Sequence, residues 1–218
     1  MLIDVKRVVG CRFSRAPSDA SLIPMPEPGP ESVDPITERA LAAGAGDRAA
    51  AAAFVEATQH TVRRFVGHLS DQGDVDDLTQ ETYLRAMRSL PSFDARSSAT
   101  TWLLAIARRV CVDHVRSITR RPRIAPTQDW RIAAEAAALR ERPAGFEVGV
   151  ALTNLVRALS DERREAFVAT QIAGLSYTEA AEVCGCPVGT IRSRVARARE
   201  DLVEAMTAEG RGRLRPTS

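Results

Sequence analysis

The stretch PVGTIRSRVARARE, Pro187 to Glu200, places Arg192, Arg194, Arg197 and Arg199 within eight residues that contain no acid. Arginine carries a planar, permanently charged fork of donors suited to phosphate oxygens and to the edge of guanine. A second basic run holds Arg108, Arg109, Arg116, Arg120, Arg121 and Arg123 against a single acid, Asp113. An acidic counterpart, DVDDLTQE, sets Asp74, Asp76, Asp77 and Glu81 near one helix start, where carboxylates favour the positive end of the dipole. The basic runs are equipped to bind a polyanion, and the acidic one to cap a helix or dock a protein. Catalysis has less support, because the paired carboxylates lack nearby histidines, a glycine-bounded loop or a nucleophile. His60, His68 and His114 are scattered, and each reads as a surface or core histidine. Cys184 and Cys186 lack the two-residue spacing and the second ligand pair of a zinc site. With Cys11 and Cys111 they are expected to be small buried or cap-adjacent residues. No catalytic, metal or cofactor site is expected.

These patches must be held by a chain of 218 residues whose net charge is only +2, so any polyanion is met locally and not by an overall basic coat. The 44% hydrophobic content supports a core. No apolar run approaches the roughly 18 residues of a membrane span. The opening MLIDVKRVVGCRF interrupts its apolar residues with Asp4, Lys6 and Arg7, which argues against a secretory signal. The expected compartment is the cytoplasm, with no membrane partner.

Residues 1–34 are rich in proline, serine and acid and read as a disordered extension, within which Met25 offers an internal start. From 35 to 120 the apolar residues recur every three or four positions in four segments, with stops at Gly44, SDQGD and PSFD. Residues 121–148 carry Pro122, Pro126, Pro143 and Gly145 and read as an interdomain linker. Helical periodicity returns over 149–206. Ser160 is an expected N-cap, Gly174 a stop, and SYTE at Ser176–Glu179 a capping box. Residues 207–218 read as a disordered tail. No segment alternates at period two for long, so the expected fold is all-α: two small helical domains joined by a flexible linker.

The C-terminal unit is a short helix, a tight turn with Gly185 and Pro187, and a longer arginine-rich helix, the pattern of a helix-turn-helix. Stepping 100° per residue puts Val188, Ile191, Val195, Ala198 and Leu202 within roughly 80° of one another, a core stripe. Gly189, Thr190, Arg192, Ser193, Ala196 and Arg197 occupy much of the opposite side. Arg194 and Arg199 flank the stripe, placed for phosphates or for carboxylates within the protein. A basic helix is often just a solvated face. Here the preceding turn and the absence of acid partners favour DNA.

DDLTQETYLRAMRSLPSFD, TTWLLAIARRVCVDHVR and GLSYTEAAEVCGCPVGTIRSRVARARE resemble, in order, regions 2.2, 2.3–2.4 and 4.2 of the group IV, or extracytoplasmic-function (ECF), sigma factors of the sigma-70 family. Within that family the chain is most similar to the actinobacterial sigma C type. The resemblance covers about two-thirds of the chain. It implies a sigma region 2 domain over 35–120 and a sigma region 4 domain over 149–206. By the same resemblance the protein is an alternative sigma factor that binds RNA polymerase core, through the β′ clamp helices and the β flap, and directs initiation at promoters. Asp76, Asp77, Leu78, Gln80, Glu81 and Arg85 would dock the polymerase. Trp102, Arg108, Arg109, Asp113, His114 and Arg116 would handle the −10 element, with capture of an extruded base. Ser176, Tyr177, Pro187, Thr190, Arg192, Ser193, Arg194, Ala196 and Arg197 would serve the −35 element. An anti-sigma protein is a further partner implied by the family. Arg109 stands where many members carry asparagine; arginine lacks asparagine's acceptor, which bears on the −10 base preference.

Two other readings compete on the residues alone. A conventional helix-turn-helix regulator would need a sensor in the N-terminal half, which shows neither a receiver's alternating strands and helices nor a ligand pocket. A nuclease would need Asp76, Asp77 and Glu81 around a metal.

Overall fold

In the computed structural model the described residues are 34–120 and 153–213. Nearly all of the expected N-terminal extension, the whole linker and the last residues of the tail lie outside them, as do Met25 and Cys11. Four helices form the first unit: α1 (Pro35–Gly44), α2 (Arg48–Leu69), α3 (Val75–Ser89) and α4 (Ala99–Arg120). Four more form the second: α5 (153–158), α6 (Asp161–Phe167), α7 (Tyr177–Cys184) and α8 (Val188–Arg213). Among the described residues there is no strand.

Local chemistry sets the helix starts. Asp34 caps α1, its carboxylate accepting from the amides of Ile36 and Thr37 at 3.0 and 3.1 Å. Asp47 does the same for α2, from Ala49 and Ala50 at 2.8 and 3.1 Å. Each satisfies amides that have no partner within the helix. The buried Thr37 hydroxyl accepts from the Ala99 amide at 2.8 Å and so ties the start of α4 to α1.

The core of the first unit follows the helical period. Phe54, Val62, Phe65 and Val66 from α2 meet Val75, Leu78, Thr82 and Ala86 from α3 and Leu103, Leu104, Ala107 and Val110 from α4. The buried hydroxyls are not orphaned, since Thr58 donates to Phe54 O at 2.7 Å and Thr82 to Leu78 O at 2.7 Å. At the end of α1 a side chain has no room: a Cβ on Gly44 would lie 2.6 Å from the Leu90 carbonyl oxygen. Gly44→Ala should therefore cost about 1–3 kcal/mol by forcing backbone apart. Urea denaturation measures this, and wild-type stability would refute the close approach.

The second unit departs from expectation in three places. Ser160 occupies the N-cap of α6, but its side chain makes no capping hydrogen bond. The helix that was expected to run on to Ala173 changes to a π turn over Val168–Ile172. The last helix continues to Arg213, well past the expected boundary at 206. Gly210 and Gly212 disfavour helix by roughly 1 kcal/mol each, so the local signal stops before the structure does. The two units also pack together. α7 lies against α4, α2 touches the π turn, and the buried side chains of both form one continuous cluster.

Candidate nucleic-acid interface

The helix-turn-helix is built as its spacing demands. Ser176 Oγ accepts from the Glu179 amide at 3.2 Å, and Glu179 Oε2 accepts from the Ser176 amide at 2.9 Å. This reciprocal pair starts α7, and Gly185 ends it in the left-handed region at φ 64°. Pro187 O then accepts from the Thr190 and Ile191 amides at 2.9 and 3.2 Å, opening α8. Ile191, Val195, Ala198 and Leu202 are buried and Val188 is half-buried, which fixes the rotation of α8.

That rotation leaves Gly189, Arg192, Ser193, Ala196 and Arg197 exposed, with Thr190 half-buried. The side chains of Arg192 and Arg197 make no hydrogen bond or ion pair within the described residues. Ser193 turns its hydroxyl inward to Thr190 O at 3.0 Å. The flanking arginines are anchored, though on neutral groups and not on the carboxylates allowed for above. Arg194 reaches Cys186 Sγ at 3.7 Å, and Arg199 reaches Gln171 Oε1 at 2.9 Å. Ser176, Tyr177 and Pro187 lie exposed at the near end of the same motif.

On α4, Arg109, Asp113 and Arg116 are exposed and His114 is half-buried, its Nε2 3.1 Å from Asp74 Oδ2. Trp102 is half-buried and stacks at a tilt on Phe93, ring centroids 4.9 Å apart. Arg108 is different. Its Nε donates to Glu165 Oε2 of α6 at 2.8 Å, with side chains only 25% and 13% exposed, so this ion pair is largely sheltered from solvent. Beside it, Glu179 Oε1 accepts from Thr101 Oγ1 at 3.1 Å and from Ser98 Oγ at 3.5 Å. Thr101 and Arg108 share one face of α4, with Ser98 just before its start, and all three turn toward the second unit. Arg64 and Arg157 complete the seam by donating to backbone: Arg64 to Ile172 O at 3.1 Å, and Arg157 to Gly67 O and Ser70 O at 3.1 and 3.0 Å.

On α3, Asp76, Asp77 and Gln80 are exposed, Glu81 half-exposed, and Asp76 pairs with Arg63. Leu78 is not a surface residue. At 6% exposure it belongs to the buried stripe with Val75, Thr82 and Ala86, so it cannot touch a docked partner while α3 stays packed. Arg85 is drawn into the fold, donating to Asp113 Oδ2 at 2.8 Å and to Glu81 Oε1 at 2.7 Å. Among the described residues, no three of His, Cys, Asp and Glu come together as a metal would require.

The ionisable groups at the seam are tuned by packing. Burial raises the Glu179 carboxyl, but hydrogen bonds from Ser176, Thr101 and Ser98 outweigh it and hold the group below its usual range. Burial pushes the Cys111 and Cys184 thiols up to about 12, so both are inert core residues. Burial, helped by the nearby Arg157 and Arg64 guanidiniums, lowers His68 from 6.5 to about 4. The unfolded chain takes up this proton at higher pH than the folded one. The His68 contribution is therefore complete above 6.5 and is lost as pH falls through about 4. The melting temperature should drop between about pH 7 and about pH 5, and His68→Gln should flatten that slope. An unchanged slope would contradict the assignment.

Comparison with known proteins decides what this arrangement serves. The model of sigma-70 region 2 matches residues 54–121, and that of sigma-70 region 4 matches residues 149–202. The ECF RNA polymerase sigma factor SigC of Mycobacterium tuberculosis is 54% identical over 169 residues, covering 77% of this chain and 89% of that protein. The chain belongs to the ECF sigma factors. Escherichia coli ECF RNA polymerase sigma-E factor is 36% identical to this sigma factor over 168 residues, covering 72% of the chain and 86% of that protein. The fold recurs in CnrH, solved in complex with the cytosolic domain of CnrY, with TM-score 0.61 and 24% identity over 79% of this chain and 97% of CnrH. It recurs also in RpoE of Bartonella quintana, solved with the anti-sigma factor NepR, with TM-score 0.56 and 27% identity over 70% of this chain and 94% of RpoE. The sigma factor is a transcription initiation factor, a promoter-specificity subunit of RNA polymerase, and its two matched regions overlap the two helical units described above.

Three residues of the sigma factor's candidate surfaces escape a sequence reading. Leu84 is 46% exposed on the face of α3 that carries Asp77, Gln80, Glu81 and Arg88, the spacing i, i+3, i+4, i+7 and i+11. Helical projection from Asp77 is the signal that would find it, since 700° returns it to within about 20° of that face. Glu165 and Glu179 have no such signal. Glu165 looks like an ordinary acid of a short helix and Glu179 like a capping-box residue alone, and their partners lie 57 and 78 residues away.

Proposed function

We propose that the sigma factor divides promoter reading between its two units, with residues 149–213 acting at the −35 element and residues 35–120 at the −10 element and on the polymerase core. The observation that carries this is the exposed face of α8, where Arg192 and Arg197 are free of any partner among the described residues. In this reading they hydrogen-bond base edges in the major groove, where a bidentate arginine supplies ~1–3 kcal/mol of discrimination. Thr190, Ser193 and Ala196 line the approach. Ser176, Tyr177 and Pro187 meet the sugar–phosphate backbone, and Arg194 braces the turn from which α8 departs.

At the −10 element, Arg109 and Arg116 offer exposed charge, and Trp102 an aromatic face for an unstacked base. Asp113 and His114 hold the frame of α4 through Arg85 and Asp74. Arg108 takes part only after leaving Glu165, so promoter opening and opening of the seam are coupled steps. Asp77, Gln80, Glu81, Leu84 and Arg88 form the core-docking face, with Asp76 and Arg85 at its margin. Leu84 is the apolar centre, ringed by polar groups as interface anchors are. The partners are core RNA polymerase, promoter DNA and, after the complex of RpoE with NepR, an anti-sigma protein. The compartment is the one where RNA polymerase works, the bacterial cytoplasm.

Co-elution of the full chain with core polymerase tests the docking half of this proposal. The wild type and Leu78→Ile should co-elute, whereas Leu84→Asp should not. Co-elution of Leu84→Asp at wild-type level would contradict the assignment of this face.

A further inference from the structure

We propose that Gly189 is a positioning residue for −35 reading, its missing side chain letting the first turn of α8 approach the floor of the major groove. The inference rests on α8 being the DNA-reading helix. Four other glycines answer a demand of the fold. A Cβ at Gly44 would collide with a carbonyl, and Gly46, Gly174 and Gly185 sit at φ of +102°, +78° and +64°. A Cβ at Gly67 would make ordinary contact with Val75 at 3.9 Å. Gly189 answers no such demand. Its backbone is outside the left-handed region, and a Cβ built there meets nothing within 4 Å.

Glycine is among the poorest residues for a helix, and here packing does not require it. Its place on the helix supplies the other reason. Arg192, Ser193, Ala196 and Arg197 follow it at i+3, i+4, i+7 and i+8, so Gly189 opens the exposed face they form. A helix with its side chains is about 10–12 Å across, and the major groove is about 12 Å wide. Clearance is therefore at most about 2 Å, the scale of a single added methyl group. Recognition helices enter with their N-terminal residues against the bases. Gly189, in the first turn, lies where the gap is smallest, while Arg192 and Arg197 reach outward past it.

The test uses full-length Gly189→Ala and Gly189→Leu, with Arg192→Ala as control, each bound to core polymerase. The probe is a duplex selected by the wild-type holoenzyme from a randomised library. Both glycine variants should melt at or above the wild-type temperature and co-elute with core. Duplex affinity should fall severalfold for alanine and by at least about tenfold for leucine, the leucine loss being of the size of one lost base contact. Gly189→Leu binding within about twofold of wild type would overturn the proposal. So would a lower melting temperature in both variants, since the glycine would then serve the fold. If Arg192→Ala weakens binding while Gly189→Leu does not, only the Gly189 proposal falls. If Arg192→Ala binds like wild type, the reading face itself is wrong, and the Gly189 proposal falls with it.

Discussion

Leu78→Asp is expected to unfold the first helical unit, lowering the thermal midpoint of the whole chain and abolishing polymerase binding together with it. Leu78 is 6% exposed and packs in the stripe that joins α3 to α2 and α4. A carboxylate placed there loses its hydration and finds no partner. The penalty, several kcal/mol, is comparable to the roughly 5–15 kcal/mol that holds a domain together. Leu84→Asp, six residues further along on the solvent side, should melt as the wild type does. Circular dichroism melting separates the two cases. A wild-type melt for Leu78→Asp would mean that α3 is rotated from the position described.

Glu165→Ala should part the two units. The Arg108–Glu165 pair is the most sheltered ion pair across the seam, and removing the carboxylate strands a guanidinium that is 25% exposed. A charged hydrogen bond of this kind is worth about 1.5–3 kcal/mol, less here because water still reaches the arginine. That is enough to loosen an interface also held by Glu179 on Thr101 and Ser98, by two arginines on backbone carbonyls and by the shared apolar cluster. Small-angle scattering should show a larger radius of gyration for Glu165→Ala than for wild type. Glu165→Gln, which can still accept a hydrogen bond, should fall between them. Identical radii for all three would show that the seam does not depend on this pair.

What the sequence revealed was local. The buried stripe of α8, the capping box at Ser176–Glu179 and the left-handed Gly185 each follow from residues within a turn or two of one another, and each is present. The all-α architecture follows for the same reason. Contacts between distant segments left no comparable trace. Glu165 has the look of any acid in a polar helix, and only the folded chain brings it to Arg108. Leu78 and Leu84 both sit in an acidic amphipathic helix, and only their angle to the Val75–Thr82–Ala86 stripe tells core from surface. The far end of α8 was obscured by Gly210 and Gly212, which lower helix propensity without breaking a helix already propagating from a packed start.

This chain gives RNA polymerase a promoter specificity. Its most direct measurement is the sequencing of transcript starts after the full chain is mixed with core polymerase over a genomic DNA pool. New starts, absent with core alone, should appear and share two upstream elements at a fixed spacing. With Arg192→Ala the starts should weaken and tolerate change at one position of the upstream element alone. No new starts from any fragment, together with stable DNA binding by the free chain and no affinity for core, would contradict it and identify a conventional helix-turn-helix regulator.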